Sequence, residues 1–279
     1  MTIEITLLGT GSPIPDAHRA GSATLVRAGG KTLLFDAGRA VVMRMVAAAA
    51  APAMLDAVLL THLHSDHITD LNDVITTRWV GSLVPSPLTI HGPVGTRRVV
   101  DAILDMLGPD IGYRIAHHED MLEPPQPEVI EGTGGVVLED AAADLRVVAA
   151  ATDHRPVEPT LGYRIEHGGA AVVIGGDGVP CAGLDELCAG ADAYVQTVLR
   201  DDLVSQVPIQ RFLDTIDYHS TVRQAGETAQ RAGVKTLVLT HQVPTPAPGS
   251  EAEWVAIAAE AFDGEIVFGA DLTVVTVGS

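Results

Sequence analysis

The sequence predicts an α/β (α+β) chain in which two mixed β-sheets pack face to face with helices outside, and three observations predict it. Apolar runs of strand length alternate with helix-length amphipathic stretches along all 279 residues. Two glycine pairs, Gly29-Gly30 and Gly168-Gly169, each join two strand runs as a tight hairpin turn. The two halves share an outline of strands and helices without repeating each other's sequence, so each supplies one sheet.

Met1–Leu8 already alternates as a strand does, which places the first strand at Ile3–Leu8. Strands are expected next at Ala23–Arg27 and Thr32–Phe35, on either side of the first glycine pair, then at Ala57–Thr61 and Leu88–His91. Helices are expected at Ala40–Ala50, Asp66–Trp79 and Val94–Met106, with the alanine run Ala47–Ala51 read as a helix end. The stretch Glu119–Gly135, rich in Pro and Glu, reads as a surface loop crossing between the halves.

In the second half, strands are expected at Leu145–Ala150, Leu161–Ile165, Ala171–Ile174, Ala193–Val198 and Thr236–Thr240. Glu265–Phe268 and Leu272–Val277 close the chain as strands. Helices at Val222–Ala232 and Glu251–Ala261 carry start signals, Thr221 with Gln224 and Ser250 with Glu253, both at capping-box spacing. Gly233 stands where a helix terminator belongs. No linker is polar enough to separate independent units, so one domain over residues 1–279 is expected.

Hydrophobic residues make up 47% of the chain but aromatics only 4%, so Val, Leu, Ile and Ala must fill the core. Cys181 and Cys188 are too few for a disulfide framework and read as small buried residues. The opening residues lack the basic start and apolar run of a signal peptide, and no apolar stretch is long enough to span a bilayer. A cytoplasmic protein that does not engage membrane is expected. The formal charge of −19, from 36 acidic against 17 basic residues, keeps such a protein in solution. It also disfavours broad, sequence-independent binding to a polyanion, which Lys and Arg must drive.

The chemistry concentrates in Thr61-His62-Leu63-His64-Ser65-Asp66-His67, directly after the apolar run Ala57–Leu60 and just before a helix. Four ligand-type side chains in six residues cannot be a packed core, because each would need its own polar partner. His62 and His64 alternate and can share one side of an extended segment, whereas Asp66 and His67 lie a turn further on, within reach of a second ion. His154, Asp177 and His241 repeat the placement, each a polar ligand type at a strand's end. Together the seven complete a two-ion site, and nitrogen and oxygen donors without cysteine suit two zinc ions, with manganese and iron as alternatives. Gly9-Thr10-Gly11-Ser12 lacks the Lys and helix that would make it a phosphate loop.

His-x-His-x-Asp-His at residues 62–67 resembles the signature of the metallo-β-lactamase superfamily, and the likeness runs essentially end to end. The resemblance implies a four-layer αββα sandwich. It also implies one metal on His62, His64 and His154, another on Asp66, His67 and His241, and Asp177 between them. Asp36, in Phe35-Asp36-Ala37-Gly38, matches the motif whose Asp supports the ligand loops. Within the superfamily the chain is most similar to the ribonuclease Z family of tRNA 3′-processing endonucleases. That likeness rests on Leu7–Ser12, on Asp153-His154 followed by Gly162-Tyr163-Arg164-Ile165, and on His219-Ser220-Thr221 leading to Leu237–His241. It implies phosphodiester hydrolysis and nominates His219 as proton donor or oxyanion stabiliser at the scissile phosphate, while Asp66 is the candidate to orient and deprotonate the attacking water.

The chain also departs from that family. The family's basic tRNA-gripping arm would lie between Ile165 and Asp177, where only a short hairpin fits. The Glu that orients the catalytic His aligns with Thr197, after Gln196, and Gln242-Val243-Pro244 replaces the Ser and Arg that follow the last ligand. A phosphodiester substrate is therefore expected, with RNA gripped weakly, in a chain that forms a homodimer. The other readings are a small-molecule ester hydrolase of arylsulfatase, cyclic-nucleotide phosphodiesterase or lactonase type, and a non-catalytic partner subunit. The intact ligand set argues against the last.

Overall fold

The computed structural model describes residues 1–120 and 123–278. The strands of the first half are β1 (Thr2–Gly9), β2 (Ala23–Ala28), β3 (Lys31–Phe35), β4 (Ala57–Leu59), β5 (Leu88–Gly92) and β6 (Pro127–Glu131). Those of the second are β7 (Gly135–Asp140), β8 (Leu145–Ala151), β9 (Leu161–His167), β10 (Ala170–Ile174), β11 (Ala193–Leu199) and β12 (Thr236–Val243), followed by β13 (Glu265–Phe268) and β14 (Val274–Gly278). The helices are α1 (Val41–Ala47), α2 (Ser65–Ile68), α3 (Leu71–Gly81), α4 (Thr96–His117), α5 (Ala182–Cys188), α6 (Asp201–Val204), α7 (Gln210–Leu213), α8 (Val222–Ala232) and α9 (Glu251–Ala259).

One sheet runs β14-β1-β2-β3-β4-β5-β6 and the other β13-β12-β11-β10-β9-β8-β7. In each, the strands joined by hairpins are antiparallel and those reached by helical crossovers are parallel, as connection length requires. Both expected hairpins form: Gly29 and Gly30 have φ of 58° and 76°, Gly168 and Gly169 of 59° and 81°. Two successive positive φ values define the turn that matches strand twist, and only glycine adopts them without strain.

Strand residues are buried on both faces. Ile3, Ile5, Leu7, Leu33, Phe35 and Leu59 of one sheet meet Val147, Tyr163, Ile165, Val172 and Val195 of the other in a single shared core. On the outer face, Leu34, Val58 and Ile90 pack against Val41, Met45, Leu71, Val74 and Val100 of α1, α3 and α4. Val173, Tyr194, Leu237 and Leu239 pack against Leu184, Ala225, Ala229 and Trp254 of α5, α8 and α9. The result is helix, sheet, sheet, helix: the four-layer sandwich implied by the resemblance.

The structure corrects several expectations. The surface loop expected at Glu119–Gly135 contains β6, paired in parallel with β5 from Leu88↔Pro127 to Gly92↔Glu131; residues 121 and 122 lie outside the described residues. Only Val129 of β6 is buried, so the strand offers no hydrophobic alternation to read, and Pro127 takes the first position of an edge strand, where a missing N–H is tolerated. The single helix expected at Asp66–Trp79 is two, α2 and α3, broken where the N–H of Asp70 turns to the carbonyl of Ala37. The helix expected to end at Met106 continues through Pro109 to His117, with Gly108 leaving no Cβ against the proline ring. The capping box at Thr221 and Gln224 is present and Gly233 ends α8 at φ 69°. The one expected at Ser250 is not: its hydroxyl donates to the carbonyl of Ala247 instead. Among the described residues no helix is long and apolar enough to cross a membrane.

Candidate metal centre

The ligand stretches leave the sheets at one end of the sandwich. β4 delivers Leu60, whose carbonyl accepts the Tyr163 hydroxyl at 2.7 Å, and Thr61, whose carbonyl accepts the N–H of Leu161 at 2.8 Å. The two sheets thus clamp the backbone immediately before His62. His62 is fully buried, and His64, still extended at φ −63° and ψ 147°, stands at the N-cap of α2. Asp66 and His67 follow within α2, both buried. His154 follows β8 and Asp177 follows β10. His241 sits not after β12 but inside it, at φ 45°, where two residues of β12, His241 and Gln242, stand opposite one of β11, Val198, between Thr197↔Thr240 and Leu199↔Val243. This bulge re-aims the side chain, and a non-glycine residue at positive φ is a backbone strain kept at the site.

All seven expected ligands converge. His62, His64, His154 and Asp177 form one group and Asp66, His67 and His241 a second, the donor atoms of each lying within 4.8 Å of one another. Asp177 joins them: its Oδ2 lies 3.3 Å from His67 Nε2, 3.6 Å from His241 Nε2 and 3.9 Å from His62 Nε2. His241 Nε2 is 3.0 Å from Asp66 Oδ2, and His154 Nε2 is 3.3 Å from His64 Nδ1.

The far side of several rings is held by the protein. His67 Nδ1 donates to Asp36 Oδ2 at 2.7 Å and His154 Nδ1 to the carbonyl of Tyr218 at 2.7 Å. Thr61 gives its single hydroxyl proton to Asp36, so its 3.0 Å contact with His62 Nδ1 is donated by the ring. These bonds leave the Nε2 lone pair of each ring aimed at the cluster. Asp36 thus holds His67 directly and His62 through the Thr61 hydroxyl.

The donor set fits a metal. His62 Nε2 and His67 Nε2 are buried without a hydrogen-bond partner. Burial holds His62 well below the usual imidazole range and His154 down to about 4, so both are neutral and ligand-competent. Burial also opposes charge on His67, yet Asp177 and Asp36 beside it raise it well above the usual range. Asp36, Asp66 and Asp177 are buried and have no Lys or Arg within ion-pair distance among the described residues. Buried carboxylates without a cation are costly, and a divalent ion at this point supplies one.

His219, buried at the start of the α8 segment, points Nε2 at Asp177 Oδ2, 3.3 Å away. Its Nδ1 donates to the carbonyl of Thr215 at 3.0 Å, in the 3₁₀ turn Asp214–Asp217. That carbonyl orients the ring where the sequence leaves no carboxylate to do so. Thr197 has another job: its hydroxyl donates to Asp177 Oδ1 at 2.7 Å, leaving Oδ2 to the cluster. Sequence reasoning saw in Thr197 only a lost glutamate. The signal available was its position at the end of an apolar strand running parallel between those that deliver Asp177 and His241. The glycines before Asp177 make room for neighbours: a Cβ on Gly176 would lie 2.9 Å from the Thr61 side chain, and one on Gly175 2.1 Å from Gln196 Oε1. Gln196 is locked by the Tyr194 hydroxyl at 2.6 Å and by the carbonyls of Gly176 and Thr197.

Thr197→Val is expected to weaken metal binding by about 10- to 100-fold, the usual cost of losing a partner that orients a ligand. Thr197→Ser should retain the wild-type affinity. Competition with a chromophoric chelator measures both, and equal affinity in Val and wild type would remove Thr197 from this role.

Residues 31–242 match the family described as the beta-lactamase superfamily domain. The chain is 58% identical over 272 residues to the ribonuclease Z of Mycolicibacterium gilvum (strain PYR-GCK), covering 97% of this chain and 94% of the relative. It is 57% identical over 272 residues to the ribonuclease Z of Mycobacterium bovis (strain BCG / Pasteur 1173P2), covering 97% and 96%. Among solved structures it is similar to the metallo-β-lactamase fold protein YhfI from Bacillus subtilis, at TM-score 0.74 and 22% identity over 99% of both chains. It is also similar to the short form of human tRNase Z, at TM-score 0.71 and 24% identity over 98% of both. These two likenesses are to the fold.

Proposed function

The chain belongs to the metallo-β-lactamase superfamily and, within it, to the ribonuclease Z family, and from that premise we propose that it is a binuclear zinc endoribonuclease acting on the 3′ side of precursor tRNA. A metal-dependent hydrolase is what the family makes it. The observation that carries the reading is that both ligand groups meet at Asp177 Oδ2, with His219 Nε2 3.3 Å from the same oxygen. A proton donor of this kind serves a leaving oxygen that cannot depart unprotonated, as in a phosphodiester of RNA.

His62, His64, His154 and Asp177 would hold one ion, and Asp66, His67 and His241, with Asp177, the other. The chemistry such ions would supply there is a lowered pKa for a bound water and neutralisation of charge on a phosphoryl oxygen. Asp66, buried and hydrogen-bonded to His241, accepts the proton of the attacking water. His219 donates from Nε2 to the leaving oxygen as the P–O bond breaks. The Thr215 carbonyl and Asp177 carboxylate are both acceptors, so a ring protonated on both nitrogens is satisfied in this position.

The acidic charge and the short β9–β10 hairpin, where the family's arm would lie, favour a small-molecule ester instead. The missing arm does not separate this chain from its relatives: those named ribonuclease Z align over 94% and 96% of their own lengths. RNA is accordingly the better reading. One domain over residues 1–279, a cytoplasmic location and a homodimer complete it. The shared core between the sheets supports the first. The exposed Met106 and Tyr113, two helical turns apart on α4, support the last. The test is a turnover screen of zinc-loaded protein on precursor tRNA, bis-p-nitrophenyl phosphate, an aryl sulfate and a lactone, with elemental analysis alongside. Endonucleolytic cleavage of precursor tRNA with about two zinc ions per chain is expected. Strong sulfatase or lactonase turnover without phosphodiesterase activity would refute the reading.

A further inference from the structure

In a chain with 36 acids to 17 bases, an exposed cation readily finds a carboxylate, and most here do. The arginines without one within 4.0 Å among the described residues are Arg19, Arg39, Arg97, Arg98 and Arg211, besides Arg78, which is buried among backbone carbonyls. Arg19 is held by Thr10 and Gln242, and Arg97 by the carbonyl of Val129. That leaves Arg39, Arg98 and Arg211, all exposed and donating no side-chain hydrogen bond among the described residues.

These three come from unrelated parts of the chain, yet each lies on a segment that packs directly on the site. Arg39 follows Gly38, where a Cβ would lie 2.3 Å from the carbonyl of Asp66, and Ala37, whose N–H donates to the carbonyl of His67. Arg98 is in the first turn of α4, next to Gly95, where a Cβ would lie 2.9 Å from the side chain of Leu63, between His62 and His64. Arg211 is in α7, against Phe212, whose carbonyl accepts the hydroxyl of Thr215, the residue that orients His219. Arg146 and Arg164, both paired with Glu166, stand on β8 and β9 instead.

We propose that Arg39, Arg98 and Arg211 are the phosphate contacts by which this acidic chain holds an RNA strand across its metal centre, in the absence of an arm between Ile165 and Asp177. This rests on the RNA reading above. A guanidinium without a carboxylate partner need not break an ion pair to meet a phosphate, and each phosphate it neutralises releases counterions. Three contacts are few, so binding is weak and falls with salt by a shallow power law, in keeping with the net charge.

The test measures kcat/KM of the zinc-loaded full chain on precursor tRNA across a range of potassium chloride, with bis-p-nitrophenyl phosphate in the same buffers. Each of Arg39→Ala, Arg98→Ala and Arg211→Ala should lower the slope of log(kcat/KM) against log[salt] by about 0.7–0.9. The triple variant should lower it by about 2–3 and reduce the ratio of RNA to bis-p-nitrophenyl phosphate kcat/KM by at least about 10-fold at low salt. Arg146→Ala should leave the slope as in wild type. An unchanged slope in the triple variant, or an equal loss on both substrates, overturns the assignment and leaves the RNA reading standing. Wild-type protein that cleaves bis-p-nitrophenyl phosphate but no RNA overturns both.

Discussion

Asp177→Ala is expected to purify folded, to retain less than one metal per chain after dialysis, and to lose at least about 10³-fold in turnover on any phosphodiester. The size of the effect follows from position. Asp177 is the one carboxylate that faces both ligand groups, with Oδ2 at 3.3 Å from His67, 3.6 Å from His241 and 3.9 Å from His62. Its loss removes a donor from the first group and the carboxylate oxygen beside His67 and His241 of the second, and halves the buried negative charge that Asp66 and Asp177 direct at the cluster. Burial opposes ionisation of Asp177, but His241 and His67 beside it hold its carboxyl well below the usual range, so it is an anion at neutral pH. Because its carboxyl is held below the usual range, ionised Asp177 contributes stability to the metal-free fold at neutral pH, which the alanine variant loses along with the acceptor of the Thr197 hydroxyl. The metal-free variant should therefore melt lower than metal-free wild type. Elemental analysis, a thermal melt of both metal-free proteins and one turnover assay check the whole expectation. A variant that keeps two metals and its turnover would show that Asp177 serves the fold rather than the ions.

His219→Ala should show the opposite split. Metal content should match wild type, because His219 lies in neither ligand group, while kcat on RNA falls by about 10²–10⁴, the worth of a positioned general acid. The loss belongs in kcat rather than KM, since the proton is needed only as the P–O bond breaks. On bis-p-nitrophenyl phosphate the loss should be smaller, because nitrophenolate departs without protonation. His154 supplies the comparison: its Nε2 faces His64 in the first ligand group, so His154→Ala should lose metal and activity together. Equal losses on RNA and on bis-p-nitrophenyl phosphate, with metal intact, would place His219 in the support of Asp177 rather than at the leaving group.

The sequence by itself picked out the side chains that converge at one place in the fold. Four ligand types within residues 62–67, and three more at the ends of apolar runs, stand out because a folded core cannot hold them unpartnered. It also determined the sheets' central strands, where both faces are buried and the apolar runs are unbroken, and the two glycine hairpins, where local dihedrals admit few other residues. The edge strands β6 and β7 were not legible, because β6 buries only Val129 and β7 buries no residue, so neither has a buried face to demand alternation. Nor was the break between α2 and α3, which answers to a backbone carbonyl at Ala37 rather than to the helix's own pattern.

At the site, only the tertiary structure decided how the residues are held. Thr197 reaches Asp177 from a neighbouring parallel strand, the Tyr218 carbonyl fixes His154 from 64 residues away, and the Thr215 carbonyl takes the place of a missing carboxylate on His219. The bulge at His241 exists only in the pairing of β11 with β12. Ligand identity is written residue by residue because coordination chemistry selects side-chain type. The supporting contacts use hydroxyls and main-chain carbonyls, which nearly every residue type carries, and these become specific only when the packing of two sheets places them within hydrogen-bond reach.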